Sequence, residues 1–393
     1  MSVVKETAWP TELIGGGEIK ETIAPSATVP SRRFDFLDGV RALAALFVVV
    51  CHAYFEPANG YYSSRLMNHL GLTYGHVAVD VFIVLSGFCL MLPIARRSDH
   101  FGSVREFFRR RARRILPPYY AALLLSILFI LVYAHNRTGT VWDNSLPLTW
   151  TTFLYHLLLV HDLPLPGTGG TINYPLWTIA VEFQLYLVMP LIALSLRSWN
   201  SSRTLLWTIA LGLGLHVGLH GKLDSASPWY LGLFTMGAVA AREAVRRAQP
   251  QTNVLRWTIY VLVPLTGAVV VMKGKDFFEA YMPFFDTVLG AATATLLYIT
   301  FHDASEQRSR LTRSLSWRPL VAIGTFSYSL YLVHAPLLHL FDRIFAPYLP
   351  AGPRMFVALL AITPIIVGIA YLFHRVFEKP FMSGNSQPKR AVS

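Results

Sequence analysis

Arg41 and His52 stand eleven residues apart in the segment FDFLDGVRALAALFVVVCHAYF, separated by an almost purely apolar run that ends in Cys51. On a helix this spacing amounts to three turns and about 20°, so a guanidinium and an imidazole share one face about 16 Å apart. Two such groups on an apolar helix are costly. They mark a functional site unless each simply reaches for water from its own helix end. Imidazole is the side chain that titrates nearest to working pH, so His52 is the candidate proton acceptor. Asp80, Glu182 and His334 are further ionisable residues set in apolar runs. The stretch FFRRRARRILPPYY then crowds Arg109, Arg110, Arg111, Arg113 and Arg114 ahead of Pro117 and Pro118. Arginines this dense form either a phosphate site, through bidentate pairing, or a cytoplasmic anchor. The proline pair is expected to open the next helix, where first-turn N–H groups have no partners in any case.

The elements that must position these groups are membrane helices. Apolar residues make up 53% of the 393 and charged residues only 14%, and the mean hydropathy is +0.44, which no ordinary soluble domain shows. The net charge of +12 does not point to nucleic acid, because the basic residues collect at the ends of apolar runs, where positive-inside topology puts them. Cys51 and Cys89, the two cysteines, both lie inside apolar runs, so neither a disulfide framework nor a metal cluster is expected. The fold class is all-α: a polytopic transmembrane helical bundle of about ten spans. These fall near 37–55, 77–95, 119–134, 176–196, 204–219, 229–241, 256–272, 284–301, 320–340 and 355–373.

An eleventh apolar stretch, 149–160, is shorter and runs into a Pro- and Gly-rich loop. Counting it as a span would set the basic segments around Arg96–Arg114, Arg242–Arg256 and Arg308–Arg318 and the tail after His374 on different sides. Leaving it outside keeps all four cytoplasmic, with both termini inside. His52, Asp80, Glu182 and His334 then converge on the outer half of the membrane. Residues 1–33 carry Lys5, Glu6 and a Pro/Ser/Thr stretch before any apolar run, so they read as a disordered cytoplasmic tail and not a signal peptide. Residues 34–382 form the transmembrane domain, and 383–393 a second disordered cytoplasmic tail. The predominance of Arg over Lys suggests a bacterial genome rich in GC.

From Phe34 to Met382 the chain resembles the acyltransferase 3 family of polytopic membrane acyltransferases. Arg41 and His52 match its Arg, ten residues, His pattern. GHVAVDVFIVLSGF (Gly75–Phe88) is similar to its FFxxSGF element, and RRARRILPP to its RRxxRIxP element. PLWTIAVEFQLY (Pro175–Tyr186) resembles WSLxVExQFY, GTFSYSLYLVHAPLL (Gly324–Leu338) resembles GxxSYxxYLxH, and FEKP (Phe377–Pro380) closes the set. Ile83 replaces a frequent second aromatic, and Gln184 follows Phe183. Neither change removes a candidate catalytic group.

The resemblance implies transfer of an acyl group, commonly acetyl, from acyl-coenzyme A to a hydroxyl of a carbohydrate or macrolide-like acceptor in the cell (inner or plasma) membrane. It implies no metal. Some members append an esterase-like domain, and this chain reads as the stand-alone type. On this reading His52 is the general base or is itself transiently acylated, and Glu182 orients it. Arg41, with Arg110, Arg111 and Arg114, holds the phosphates of coenzyme A. Asp80, Trp177, Tyr331 and His334 face the acceptor or an oxyanion, while Ser86 and Gly87 serve helix packing. His216, His220, Asp276 and Asp286 carry no role. The expected partners are the lipid bilayer and a carbohydrate or small-molecule acceptor, with no nucleic acid and no oligomeric state implied. The alternative is a multi-pass transporter or flippase of a glycan or lipid-linked substrate, because buried ionisable residues also line transport paths. No inverted repeat or paired broken helices support that alternative.

Overall fold

The computed structural model describes residues 34–55, 74–165, 171–246, 252–306 and 309–382, and without exception the regular elements among them are helical. Both expected tails, 1–33 and 383–393, lie outside the described residues. Helices stand at all ten positions that hydropathy marks: α1 (Asp35–Phe55), α2 (Val77–Ala95), α3 (Val104–Val132), α5 (Trp177–Ser198), α6 (Ser201–Gly218), α7 (Tyr230–Arg246), α8 (Thr252–Lys273), α10 (Met282–Glu306), the bent pair α12 (Arg318–Thr325) and α13 (Ser327–Phe345), and the last helical run, which opens with α14 (Ala351–Val357) and ends in α15 (Thr363–Phe373). Shorter helices α4 (Trp150–Leu157), α9 (Lys275–Ala280) and α11 (Arg310–Leu315) lie between them.

Six of these helical runs are long and apolar enough to cross a membrane, and a seventh is added if α12 and α13, bent by 74° at their junction, count as one. The other helices fall short in length or in hydropathy, and hydropathy rewards apolar residues whether lipid or protein covers them. Helix α7 is apolar because it is interior. Tyr230, Leu233, Phe234, Met236 and Ala238 are all buried, and its far end is charged. There Arg242 bonds Asp99 through Nε at 2.9 Å and Ser201 Oγ at 2.8 Å, so this arginine is a buried clamp and not a free cytoplasmic anchor. Helix α4 has only eight residues, closed by a reciprocal Thr149–Thr152 capping box, and at about 12 Å it is too short to span.

The Arg-rich stretch differs from expectation as well. Helix α3 starts at Val104, where the Ser103 side chain accepts the Glu106 N–H at 3.3 Å, and it runs straight through Pro117 and Pro118. Proline inside a helix frees and tilts the carbonyls of the preceding turn, and buried helices tolerate this when a neighbour supplies a donor. Next to the Arg113 and Arg114 carbonyls that the two prolines free, Tyr328 donates its hydroxyl to the Ile115 carbonyl at 3.1 Å and ties this turn to α13. The arginines therefore sit on rigid helix and not in a loop.

Helix α2 is held against α7 by a reciprocal glycine contact. A Cβ on Gly87 would lie 2.0 Å from the Phe234 carbonyl oxygen, and one on Gly237 would lie 1.9 Å from that of Val84. Gly87 is thus a packing residue, and its absent side chain sets the position of the adjacent Ser86.

Candidate active site

Helices α1 and α13 bring His52 and His334 together. The rings stack with centroids 5.0 Å apart and planes 8° from parallel, and His52 Nδ1 lies 2.7 Å from His334 Nε2. Their protonation follows from the next bond in the chain. His334 Nδ1 lies 2.6 Å from the Tyr331 carbonyl oxygen, which only accepts, so Nδ1 carries the hydrogen. A neutral His334 then presents a bare Nε2, and His52 must donate to it from Nδ1. His52 Nε2 is left unprotonated, free of any hydrogen bond among the described residues, on a side chain that is only partly buried. This nitrogen can accept a proton, in a tautomer fixed by a backbone carbonyl two rings away.

The floor of this arrangement is equally ordered. The ring of Tyr174 meets His52 edge-on at 5.1 Å. Tyr174 belongs to a short turn, Tyr174–Leu176, which Asn173 ties to the bundle by donating to Ser126 Oγ at 3.0 Å and the Leu332 carbonyl at 3.1 Å. Tyr331 points its hydroxyl into the same turn. It donates to the Pro175 carbonyl at 3.0 Å and accepts from Thr178 Oγ1 at 2.8 Å. Its expected place at an acceptor is therefore filled by structural bonds, and its own carbonyl is what orients His334.

Glu182 does not bond His52. Its carboxylate accepts the Tyr186 hydroxyl, a short contact between residues one helical turn apart on α5. With that hydrogen committed, the 3.0 Å contact between Tyr186 and Ser86 has Ser86 as the donor. Ser86 is thus the end of a hydrogen-bonded string running to a carboxylate and not a nucleophile with a base beside it.

The arginines divide into two sets. Arg41 donates to Asp38 Oδ1 at 2.7 Å and to Cys89 Sγ at 3.1 Å, and remains 26% exposed. Arg111 turns inward on α3, over the Phe107 ring at 5.9 Å, and its buried Nε has no hydrogen-bond partner among the described residues. Both guanidinium groups lie within electrostatic range of Cys89 and Tyr186. Arg110 is exposed and pairs with Glu106 at 3.3 Å, while Arg114 is exposed near Arg111. Arg109 takes the same Glu106 in a bidentate grip, and these charges hold the Glu106 carboxyl below its ordinary range.

Asp80 and Trp177 fall into a separate cluster at the first turns of α2 and α5. Trp177 stacks on His76, with centroids 5.9 Å apart, and His76 reaches Asp286 at 3.0 Å. Asp80 is fully buried beside them.

A single family profile covers the elements that build this geometry. Described as an acyltransferase domain, it matches residues 34–375. The chain belongs to the acyltransferase 3 family. Among its relatives, the peptidoglycan O-acetyltransferase OatA of Listeria monocytogenes is 26% identical over 88% of this chain and 55% of its own length. The acyltransferase MdmB of Streptomyces mycarofaciens is 28% identical over 89% of this chain and 92% of its own. The O-acetyltransferase OatA of Staphylococcus aureus is 23% identical over 77% and 50%. The chain spans about half the length of the two OatA relatives. No solved structure matches it.

Sequence reasoning about this acyltransferase 3 chain missed the orienting role of His334, the anchoring Asn173, and the grouping of His76 and Asp286 with Asp80. His76 and Asp80 carry a readable signal, four residues apart on one helix face. Asp286, 210 positions from His76, carries none.

Proposed function

We propose that the protein is a membrane O-acyltransferase that moves an acyl group, acetyl in the simplest case, from acyl-coenzyme A to a hydroxyl of a carbohydrate or macrolide-like acceptor, and that His52 Nε2 is its general base. One observation carries the reading: the string from the Tyr331 carbonyl through His334 to His52 leaves a bare, accessible imidazole nitrogen at the end of an otherwise apolar helix. In the reaction, His52 Nε2 takes the proton of the acceptor hydroxyl as its oxygen attacks the thioester carbonyl carbon. The C–S bond breaks, and the proton passes to the departing thiolate, giving an ester and free coenzyme A. His334 Nε2 accepts from His52 Nδ1 throughout and stabilises the imidazolium that forms.

Arg41 and Arg111 flank the donor's path, and Arg110 and Arg114 supply further charge for its phosphates at the exposed face of α3. Unpartnered buried guanidinium nitrogen on Arg111 supports this assignment. The 16 Å or so between Arg41 and His52 suits a donor whose phosphates and thioester lie at opposite ends of an extended arm. The charge at the ends of the apolar runs supports a topology of ten spans with both termini cytoplasmic in a plasma or inner membrane.

The test is coenzyme A release from acetyl-coenzyme A by detergent-purified protein with a panel of sugar and polyol acceptors. Release should depend on acceptor, vanish in His52→Ala, and leave no acyl group on protein incubated with donor alone and denatured at neutral pH. Turnover by His52→Ala equal to that of the parent would overturn the assignment. A labelled His52 would instead make the same nitrogen a nucleophile.

A further inference from the structure

Outside this site, the first turns of α2 and α10 bring together His76, Asp80 and Asp286, with one ligand atom from each within 4.8 Å of the other two. Asp80 and Asp286 have no exposed surface. Asp286 Oδ2 accepts from Trp229 Nε1 at 2.8 Å and from His76 Nε2 at 3.0 Å. Its Oδ1, and both oxygens of Asp80, have no hydrogen-bond partner among the described residues. The Tyr230 hydroxyl stands beside Asp80 and 2.9 Å from His76 Nε2. Three buried carboxylate oxygens without a donor, on two adjacent acids, leave a strong local demand for positive charge.

We propose that His76, Asp80 and Asp286 bind a divalent cation of the zinc class. Zinc ligands at 2.0–2.2 Å from the metal stand about 3.4 Å apart in a tetrahedral site, and the spacings of His76 Nε2 to Asp286 Oδ2, 3.0 Å, and to Asp80 Oδ1, 3.9 Å, bracket that value. The imidazole selects against calcium and magnesium, which prefer oxygen alone. A +2 ion neutralises both carboxylates where no sugar or peptide can reach them, and the side chain of His76, 18% exposed, gives it a way in. The Tyr230 hydroxyl, already beside His76 Nε2, completes the shell. Such an ion ties α2, α7 and α10 together at one end and holds His76 beneath Trp177, without taking part in acyl transfer.

The experiment uses full-length protein purified through a histidine-free tag, stripped with a chelator, reloaded with Zn2+ and dialysed. One equivalent of zinc should remain on the parent and raise its Tm in a concentration-dependent way, since a ligand bound only by the folded state stabilises it. Calcium and magnesium should do neither. Asp80→Asn and Asp286→Asn should weaken retention by at least about tenfold and abolish the Tm response, with His76→Gln intermediate. Because each Asn variant removes a buried like-charge repulsion, its metal-free Tm should equal or exceed that of the metal-free parent, which separates lost binding from misfolding. Three results would overturn the site: no zinc retained by the parent, which leaves the two carboxylates sharing a proton; equal retention by the Asn variants; or calcium retained as tightly as zinc.

Discussion

Removing the His334 ring tests the relay directly. In His334→Phe, a residue of similar volume still stacks on His52, but Nε2 is gone, and with it the acceptor at 2.7 Å from His52 Nδ1. The resting enzyme loses one neutral hydrogen bond. In the transition state, where His52 is an imidazolium, that bond is charge-assisted and worth about 1.5–3 kcal/mol. Set against the about 0.5–1.5 kcal/mol lost at rest, the differential loss of about 1–1.5 kcal/mol should slow turnover by about 5- to 13-fold. Tautomer disorder adds to this, because nothing then keeps the hydrogen on Nδ1. A much larger fall, near the ~10⁴ seen when a triad orienter forces the wrong tautomer, sets the upper bound. His334→Gln can accept the same hydrogen through its amide oxygen and should recover part of the rate. The assay is steady-state coenzyme A release at saturating donor, with KM for donor measured alongside. The fall should appear in kcat, with the donor KM unchanged. Parent-like kcat in His334→Phe would refute the relay, and so would a loss confined to KM.

Three further outcomes follow from the same geometry. Tyr186→Phe strips the donor from the Glu182 carboxylate and should cost about 1–3 kcal/mol of stability. Ser86→Ala, which removes only the outer donor of that string, should cost less in thermal unfolding in detergent; an equal or larger loss in Ser86→Ala would reverse the assigned order. Arg111→Ala should weaken acyl-coenzyme A binding by about 10- to 100-fold in equilibrium dialysis, with Arg111→Lys restoring it only in part. Parent-like affinity would remove Arg111 from the donor path. In the segment after α4, burial pushes Asp162 up to about 6, while burial beside the stacked His156 pushes His161 down to about 3. The folded state thus holds the Asp162 proton more tightly than the unfolded chain, and that contribution to stability fades as pH rises from about 4 to 6. His161 acts in the opposite sense, since its folded form resists a proton that the unfolded chain accepts below about 6.5. The stability of Asp162→Asn relative to the parent should therefore rise across pH 4 to 6, by at most about 3 kcal/mol, and that of His161→Asn should fall. Parallel Tm–pH curves would refute both shifts.

The helices were legible because a run of apolar side chains long enough to cross a bilayer is also long enough to form one. Which of those runs meet lipid was not legible, since α7 is apolar for the sake of its neighbours. Local spacing also exposed part of the site. Arg41 and His52 share a face, and the bond between Tyr186 and Glu182 joins residues four apart on α5. What spacing cannot reveal is a pairing across the chain. His52 and His334, 282 positions apart, both stand out as imidazoles in apolar runs, yet Glu182 is the natural guess for an orienter because carboxylates fill that role in soluble triads. Likewise, Pro117 and Pro118 read as a helix start until the hydroxyl of Tyr328, far along the chain, is seen beside the Ile115 carbonyl.

The use of an imidazole where a carboxylate might be expected follows from where the reaction takes place. A carboxylate beside His52 would be a buried charge at rest, costing several kcal/mol of desolvation or else holding His52 protonated and useless as a base. The string of Tyr331 carbonyl, His334 and His52 carries no net charge before substrate arrives. Charge separates only as the acceptor proton moves, and the imidazolium then forms next to the developing oxyanion, each compensating the other at short range. The Glu182 carboxyl is meanwhile kept a step away from His52, held by Tyr186, which lies within electrostatic range of Arg41 and Arg111. On the proposed mechanism, permanent charges gather at the donor's phosphate end, and the reacting end stays neutral until the moment of transfer. That division is what allows a base to remain basic inside an apolar helix.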